Sequence, residues 1–311
     1  MKAHLSLSRE LEIASDAIRR AGAQVAEIYA RVPTVEWKEG SEPITEADRV
    51  SDQIIVSALR AAFPDDGLLS EETADDGSRL TRARVWIVDP LDGTQDFVNR
   101  TEEFTVMIGL AIEGQPALGL VYQPMADRLF VGQPEVGAWL EEKGQRTELS
   151  VSTEARPAAM RLVVSRSHRS PLVEKVRAAL GIREERPCGS VGLKVSLLAT
   201  READLYVHPA PGTKEWDVCA PHAILLAAGG TGGHLFPAAS LAQELKRRGE
   251  LTARIMLRPV LAQVDHVAAL GLTRGFGDDW LRLVGFKAWV DGIMGNSTAL
   301  FFRPFDHDPR N

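Results

Sequence analysis

Residues 85–94, VWIVDPLDGT, decide how this chain folds and where its chemistry gathers. Val85 to Val88 are strand-favouring apolar residues, and the run ends on Asp89 and Pro90, so it reads as a short buried strand stopped by a turn. In an unbroken strand Asp89 and Asp92 would point to opposite faces. The sharp Asp-Pro-Leu-Asp-Gly-Thr turn instead lets the two aspartates converge with the Leu91 carbonyl. Carboxylates and a carbonyl, with no His or Cys, are the ligand set a hard cation such as magnesium prefers. Gly93 and Thr94 then open a short helix, whose unpaired N–H groups can hold a phosphate.

Upstream, Leu7, Leu11, Ala14, Ile18, Ala21, Val25 and Ile28 fall at helical spacing, predicting a long amphipathic helix to about Ala30. Thr45 with Asp48 three residues on predicts the cap of a second helix, carried by Val50, Ile54, Ala58 and Leu59 and stopped near Phe63 by Pro64. Downstream, FTVMIGLAI, ALGLVYQP, RLFVG and GAWLEE read as strands of an antiparallel meander. From Arg161 the pattern becomes strand RLVVS, polar loop SRSHRS, helix PLVEKVRAAL, loop and helix CGSVGLKVSLLAT, strand ADLYVH, and helix WDVCAPHAILLAAGG ending at glycines.

Two further acidic clusters stand at element ends, Glu71 and Glu72 in LLSEET and Asp217 in EWD. A single such acid is ordinarily a solvated surface charge; their combination with Asp89 and Asp92 suggests two ions a few Å apart, able to clamp attacking and leaving oxygens. The chain has 311 residues and a formal net charge of -7, with no basic stripe, which argues against a nucleic-acid polymer as partner. Its two cysteines, Cys188 and Cys219, lack metal-ligand spacing and read as reduced thiols. No run approaches the ~20 apolar residues of a membrane span, and the N-terminus lacks the apolar stretch of a signal peptide, so the expected location is cytoplasmic.

The order EE, DPLDGT, WD resembles the inositol-monophosphatase-like, lithium-sensitive phosphatases over roughly residues 7 to 230. DPLDGTQDFVNRTEEFTV, GLVYQP, SRSHRS and GTKEWD resemble its 3'(2'),5'-bisphosphate nucleotidase branch. The resemblance implies an α/β fold, the layered αβαβα sandwich of the inositol-monophosphatase/fructose-bisphosphatase type, with an α+β metal-binding half over 1–155 and an α/β half over 156–230 carrying the substrate loops and Asp217. It implies that Glu71, Asp89 and the Leu91 carbonyl bind one magnesium, and Asp89, Asp92 and Asp217 a second. Asp48 matches the acid that contacts a third ion or its water, and Thr94, with Glu71 or Asp48, would orient the attacking water. Direct in-line hydrolysis without a phosphoenzyme follows, with adenosine 3',5'-bisphosphate the expected substrate and inositol phosphate the alternative; fructose-1,6-bisphosphate is more distant.

For the substrate, the resemblance adds Ser165, His168 and Lys194 to Glu71, Leu91, Asp92, Gly93, Thr94 and Asp217. His168 could equally be an exposed loop histidine, Lys194 a solvated charge at a helix start, and Lys38 a pocket lysine or an ordinary surface one. A catalytically inactive binding protein would carry the same acids.

After Gly230 the chain departs from this pattern. ILLAAGGTGGHLFPAASLAQELKRRG resembles the opening strand, glycine loop and helix of the bacterial N-acetylglucosaminyltransferase that completes lipid II, which would make the chain a UDP-sugar enzyme. The two resemblances demand opposite structures of ILLAA, and the helix is favoured because Asp217 must sit at its start. In the atypical tail, 231–311, ARIMLRPVLA and STALFFRPF could supply strands and GDDWLRLVGFKAWVDG a helix. A family dimer surface could involve this tail, which leaves a homodimer open.

Overall fold

Helix α1 (Ser8–Ala30) forms where the apolar spacing predicts it, burying Ala14, Ile18, Ala21, Val25 and Ile28 on one face. The computed structural model describes residues 7–31, 35–37, 43–154, 156–167, 169–207, 214–230, 255–257 and 281–283. A small antiparallel hairpin, β1 (Val35–Trp37) and β2 (Pro43–Thr45), leads into α2 (Glu46–Ala62). Thr45 and Asp48 cap α2 reciprocally: the Ala47 N–H donates to Thr45 Oγ1 at 3.1 Å, and the Thr45 N–H donates to Asp48 Oδ2 at 2.8 Å.

Seven strands follow in the spatial order of the chain: β3 (Gly67–Ser70), β4 (Arg84–Asp92), β5 (Thr105–Ile112), β6 (Gln115–Gln123), β7 (Arg128–Gln133), β8 (Gly137–Glu142) and β9 (Gln145–Leu149). Only the β3–β4 pair is parallel; the rest form the expected meander. The apolar runs locate β4 to β8. They do not reveal β3, a short strand inside an acidic turn, or β9, whose residues are almost all exposed and polar.

The second sheet is parallel and three-stranded, in the order β11 (Glu184–Cys188), β10 (Arg161–Ser165), β12 (Leu205–Tyr206). Helix α4 (Pro171–Leu180) packs Val173 against Leu162 and Val164 on one face, and α5 (Val191–Ala199) packs Leu193 and Leu197 against Val163 on the other. Helix α6 (Glu215–Ala227) lies on the seven-stranded sheet opposite α1 and α2, with Ala220 and Ile224 against Met107, Val121 and Phe130. The layers therefore run α1/α2, seven-stranded sheet, α5/α6, three-stranded sheet, α4, which is the αβαβα sandwich expected.

ILLAA is helical: Ile224 to Ala227 complete α6, Ala228 caps it, and Gly229 at φ +85° turns the chain out. The strand that the glycosyltransferase resemblance requires does not form there. Val151 N–H donates to Ala228 O at 2.9 Å and ties this end to the rest of the fold.

The chain divides into two compact units at Thr231 and Gly232, and each is described by itself. In the second unit β13 (Ile255–Leu257) pairs in parallel with β14 (Leu281–Leu283). Leu281–Leu283 lies inside the run expected to be helical, so that expectation is corrected for these residues: backbone pairing with a distant strand replaces the local helical bonds. STALFFRPF and the rest of the tail lie outside the described residues.

Candidate active site

The turn in DPLDGT is a β-bulge within β4. Asp89 pairs with Met107 and Asp92 with Thr105, so three residues of advance on β4 face two on β5. Met107 and Thr105 share a face of β5, and the extra residue brings Asp89 and Asp92 onto that same face. It is the face covered by α6 and α5. Alternation alone would have separated the two acids; the bulge joins them.

Helix α3 (Thr94–Val98) starts directly after the bulge, with Gly93 at φ +94°. Phe97 of α3, Phe104 and Tyr29 form a buried aromatic trio with ring centroids 4.9–5.2 Å apart, which holds α3 against α1. Thr94, at the start of α3, has its hydroxyl 3.0 Å from both Asp48 Oδ1 and the Leu91 carbonyl. Ser51 of α2 donates to the Pro90 carbonyl at 2.7 Å, fixing α2 to the turn. Asp48, one helical turn into α2, is thereby delivered to the same place.

Glu71 follows β3, with its N–H donated to Val88 O at 3.3 Å beside the end of β4. Asp52 of α2 accepts from Ser70 at 2.5 Å and from Thr73 at 2.7 Å, so one buried carboxylate holds both sides of the Glu71–Glu72 pair. Asp217 stands in the first turn of α6, where its Oδ2 accepts the Lys214 N–H at 2.7 Å.

Helix α6 reaches the sheet through three registered glycines. Gly109 pairs with Gly119, and Gly119 with Gly132, forming a row across β5, β6 and β7. A Cβ on these residues would stand 2.5 Å from Cys219 Sγ, 2.2 Å from Ala220 O and 2.2 Å from Ile224 Cα respectively. The bare row lets the α6 backbone lie directly on the strands and sets the depth at which Asp217 is presented.

Burial pushes the Asp89 carboxyl well above its ordinary value, and the charges of Glu71, Asp92, Asp217 and Asp48 push it further. Four carboxylates thus act on the buried Asp89. Burial also raises Asp48, against the hydrogen bonds from Thr45 and Thr94. The donor set fits a hard cation: carboxylate oxygens and the Leu91 carbonyl, with a concentrated negative charge that a divalent ion would neutralise. As the side chains stand, no group of three or more His, Cys, Asp or Glu among the described residues is gathered closely enough to hold a metal ion. The acids are instead presented from four separate places in the fold: α2, the end of β3, β4 and the start of α6.

Asp92 has its Oδ2 pinned by three donors: Ser190 Oγ, Thr105 Oγ1 at 3.2 Å, and Gly192 N–H at 2.7 Å. Oδ1 takes part in none of these three bonds. Neither Ser190 nor Thr105 was legible as a site residue. Ser190 carries a local signal as the N-cap of α5, accepting the Leu193 N–H at 3.1 Å, but its second bond to Asp92 spans 98 residues.

Lys194 is 3% exposed, not a solvated charge at a helix start. Burial lowers the pKa of its ammonium, which lies 5.4 Å from the Tyr206 ring centre and in the field of Asp92. Ser165 ends β10 and is partly buried. His168 and Lys38 lie outside the described residues. A separate cavity of about 160 Å³, lined by Arg19, Asp127, Glu141, Lys143 and Arg146, opens by the β8–β9 turn away from these acids. Its Arg19 is already paired with Asp127 and Glu141, each at 3.1 Å.

Residues 6–255 match the model of the inositol monophosphatase family. That span crosses the stretch resembling the glycosyltransferase. The 3'(2'),5'-bisphosphate nucleotidase CysQ of Salmonella typhimurium is 38% identical over 222 residues, 70% of this chain and 88% of that protein. Inositol monophosphatase 3 of Solanum lycopersicum is 34% identical over 236 residues, 72% and 85% of the two chains. Among solved structures, CysQ from Bacteroides thetaiotaomicron superposes with a TM-score of 0.61 at 33% identity, covering 73% of this chain and 89% of its own. The suhB protein of Bartonella henselae gives 0.63 at 25% identity, covering 71% and 86%.

Proposed function

Because the chain belongs to the inositol monophosphatase family, we propose that it is a magnesium-dependent 3'(2'),5'-bisphosphate nucleotidase, converting adenosine 3',5'-bisphosphate to AMP and phosphate. At the coarser level the chain is a metal-dependent phosphatase acting on a small phosphorylated substrate. The observation that carries the finer reading is the 38% identity to a protein named for this activity, over 88% of that protein's length.

In this reading Glu71, Asp89, Asp92, Asp217 and the Leu91 carbonyl hold two magnesium ions, with Asp48 near a third. Bound there, magnesium would supply activation of a water and neutralisation of the phosphoryl and leaving oxygens. Thr94 and Asp48 orient the attacking water: when the Thr94 hydroxyl donates to Asp48 Oδ1, its lone pairs are left to accept a hydrogen bond from that water. The N–H groups opening α3 receive the phosphate. Ser165, His168 and Lys194 contribute to the nucleotide side, with Lys194 supplying a cation in a strongly acidic surround. Two buried free cysteines are in keeping with the reducing cytoplasm as its compartment.

Inositol monophosphate is the competing substrate, favoured by the 34% identity to the tomato enzyme. Phosphate release from adenosine 3',5'-bisphosphate and from inositol 1-phosphate, each with magnesium and with excess chelator, separates the two. Faster magnesium-dependent release from the nucleotide is expected. Preference for inositol 1-phosphate would transfer the chain to the second reading.

A further inference from the structure

We propose that Glu103 is a positioning residue for Asp92, and that the same carboxylate, through Arg166, fixes the segment after β10 to the metal-binding turn. This rests on the phosphatase reading above. A carboxylate that offers one oxygen to a cation needs its other oxygen held, and partners of ligands do this work in metal sites generally. For Asp92 the holder is Ser190 with its neighbours at the start of α5.

Glu103 grips the chain twice just ahead of and at Ser190. Its Oε2 accepts the Gly189 N–H at 2.7 Å, and its backbone carbonyl accepts the Ser190 N–H at 3.2 Å. Gly189 has no room for a side chain: a Cβ there would meet Glu103 O at 2.5 Å and Asp96 Cγ at 2.6 Å. Glu103 is itself anchored by the next residue, Phe104, which is fully buried in the aromatic trio. The chain of contact therefore runs from the aromatic core through Glu103 to Gly189 and Ser190, and from Ser190 Oγ to Asp92.

The other half of the contact is Arg166, the residue after Ser165 in SRSHRS. Its guanidinium turns to the first sheet and binds Glu103 through two bonds, Nη2 to Oε1 at 2.7 Å and Nε to Oε2 at 3.1 Å, with Asp96 3.8 Å away. Its N–H donates to Cys188 O at 3.0 Å. One carboxylate thus locks a metal acid and the candidate substrate segment to a common reference. As an ordinary half-exposed ion pair it would contribute little to stability and nothing to the site.

Three variants distinguish these roles: Glu103→Ala, Glu103→Gln and Arg166→Gln. Magnesium binding is read by calorimetry without substrate, KM and kcat from phosphate release, and melting temperature separately. Glu103→Ala removes the carboxylate's bonds to the Gly189 N–H and to Arg166 and leaves only the backbone carbonyl on Ser190, so it is expected to weaken magnesium by about 10-fold and to raise KM by a similar factor. Glu103→Gln keeps an oxygen for the Gly189 N–H but loses the charge that holds Arg166. It and Arg166→Gln are expected to raise KM several-fold while magnesium affinity stays within about twofold of the parent, well short of the ~10-fold that losing a ligand's partner costs. If all three bind magnesium and substrate as the parent does and differ only in melting temperature, the pair is structural and the proposal is wrong. Should Glu103→Ala fail to fold, the KM values of the two Gln variants decide. A parent that binds magnesium but releases no phosphate would instead sink the phosphatase reading, and the magnesium affinities would still test Glu103.

Discussion

Gly119 lies so close beneath Ala220 that a Cβ on it would stand 2.2 Å from the Ala220 carbonyl oxygen. The obstacle is backbone, which cannot swing aside as a side chain can. Gly119→Ala must lift α6 off the sheet, and α6 carries Asp217. Overpacking of this kind costs about 1–3 kcal/mol, measurable by urea denaturation. A loss of magnesium-dependent turnover beyond the loss of folded protein is also expected. Unchanged stability and rate would mean that the glycine row does not set the depth of α6.

Asp92→Asn separates the two oxygens of that side chain. The amide oxygen can take over the bonds from Gly192 N–H and the two hydroxyls, while the amide nitrogen replaces the oxygen left for a cation. Turnover is expected to fall by at least about 100-fold, with the metal-free melting temperature nearly unchanged. Near-normal rates from this variant would remove Asp92 from the ligand set.

Lys194 predicts a trade between stability and activity. Its burial disfavours the ammonium, so Lys194→Met relieves a desolvation cost and is expected to leave stability equal or up to about 1 kcal/mol higher. KM for adenosine 3',5'-bisphosphate should rise by about tenfold, the size of one lost charged contact of about 1.4 kcal/mol. If KM stays put, the buried ammonium serves the carboxylates around it and not the substrate.

Acid sensitivity should centre in part on Asp204. Arg161 binds it through two side-chain bonds, at 2.8 and 3.0 Å, and holds its carboxyl at about 2, below the ordinary 3.8. A depressed folded-state value means stability that is fully present above 3.8 and lost as the pH falls towards 2. With Arg161 half-exposed, solvent screening reduces the contribution to about 1 kcal/mol. Comparing the parent with Asp204→Asn by denaturant melts should show that difference at pH 5 and its disappearance near pH 2. A gap that is the same at both pH values would show that the pair does not titrate in this way.

Local patterns determined most of the elements and the identity of the acids. The periodicity of α1, the Thr45–Asp48 cap, the apolar runs of β4 to β8 and the carboxylate-rich turns are properties of neighbouring residues, so they are visible along one chain. β9 was not, because an exposed edge strand needs no apolar alternation, nor was β11, where Pro187 argues against a strand and pairing with β10 overrides it.

Tertiary structure alone decided how the acids are presented. Gly109, Gly119 and Gly132 become a row only once three strands are in register. Ser190, Thr105 and Glu103 acquire their roles through partners 13 to 98 residues away. The sequence offers Lys194 as a substrate contact or a solvated charge alike; it is buried because α5 lies between two sheets. A sequence names groups able to bind a cation; the burial, register and hydrogen bonds that aim one oxygen and hold the other arise only when distant segments pack together.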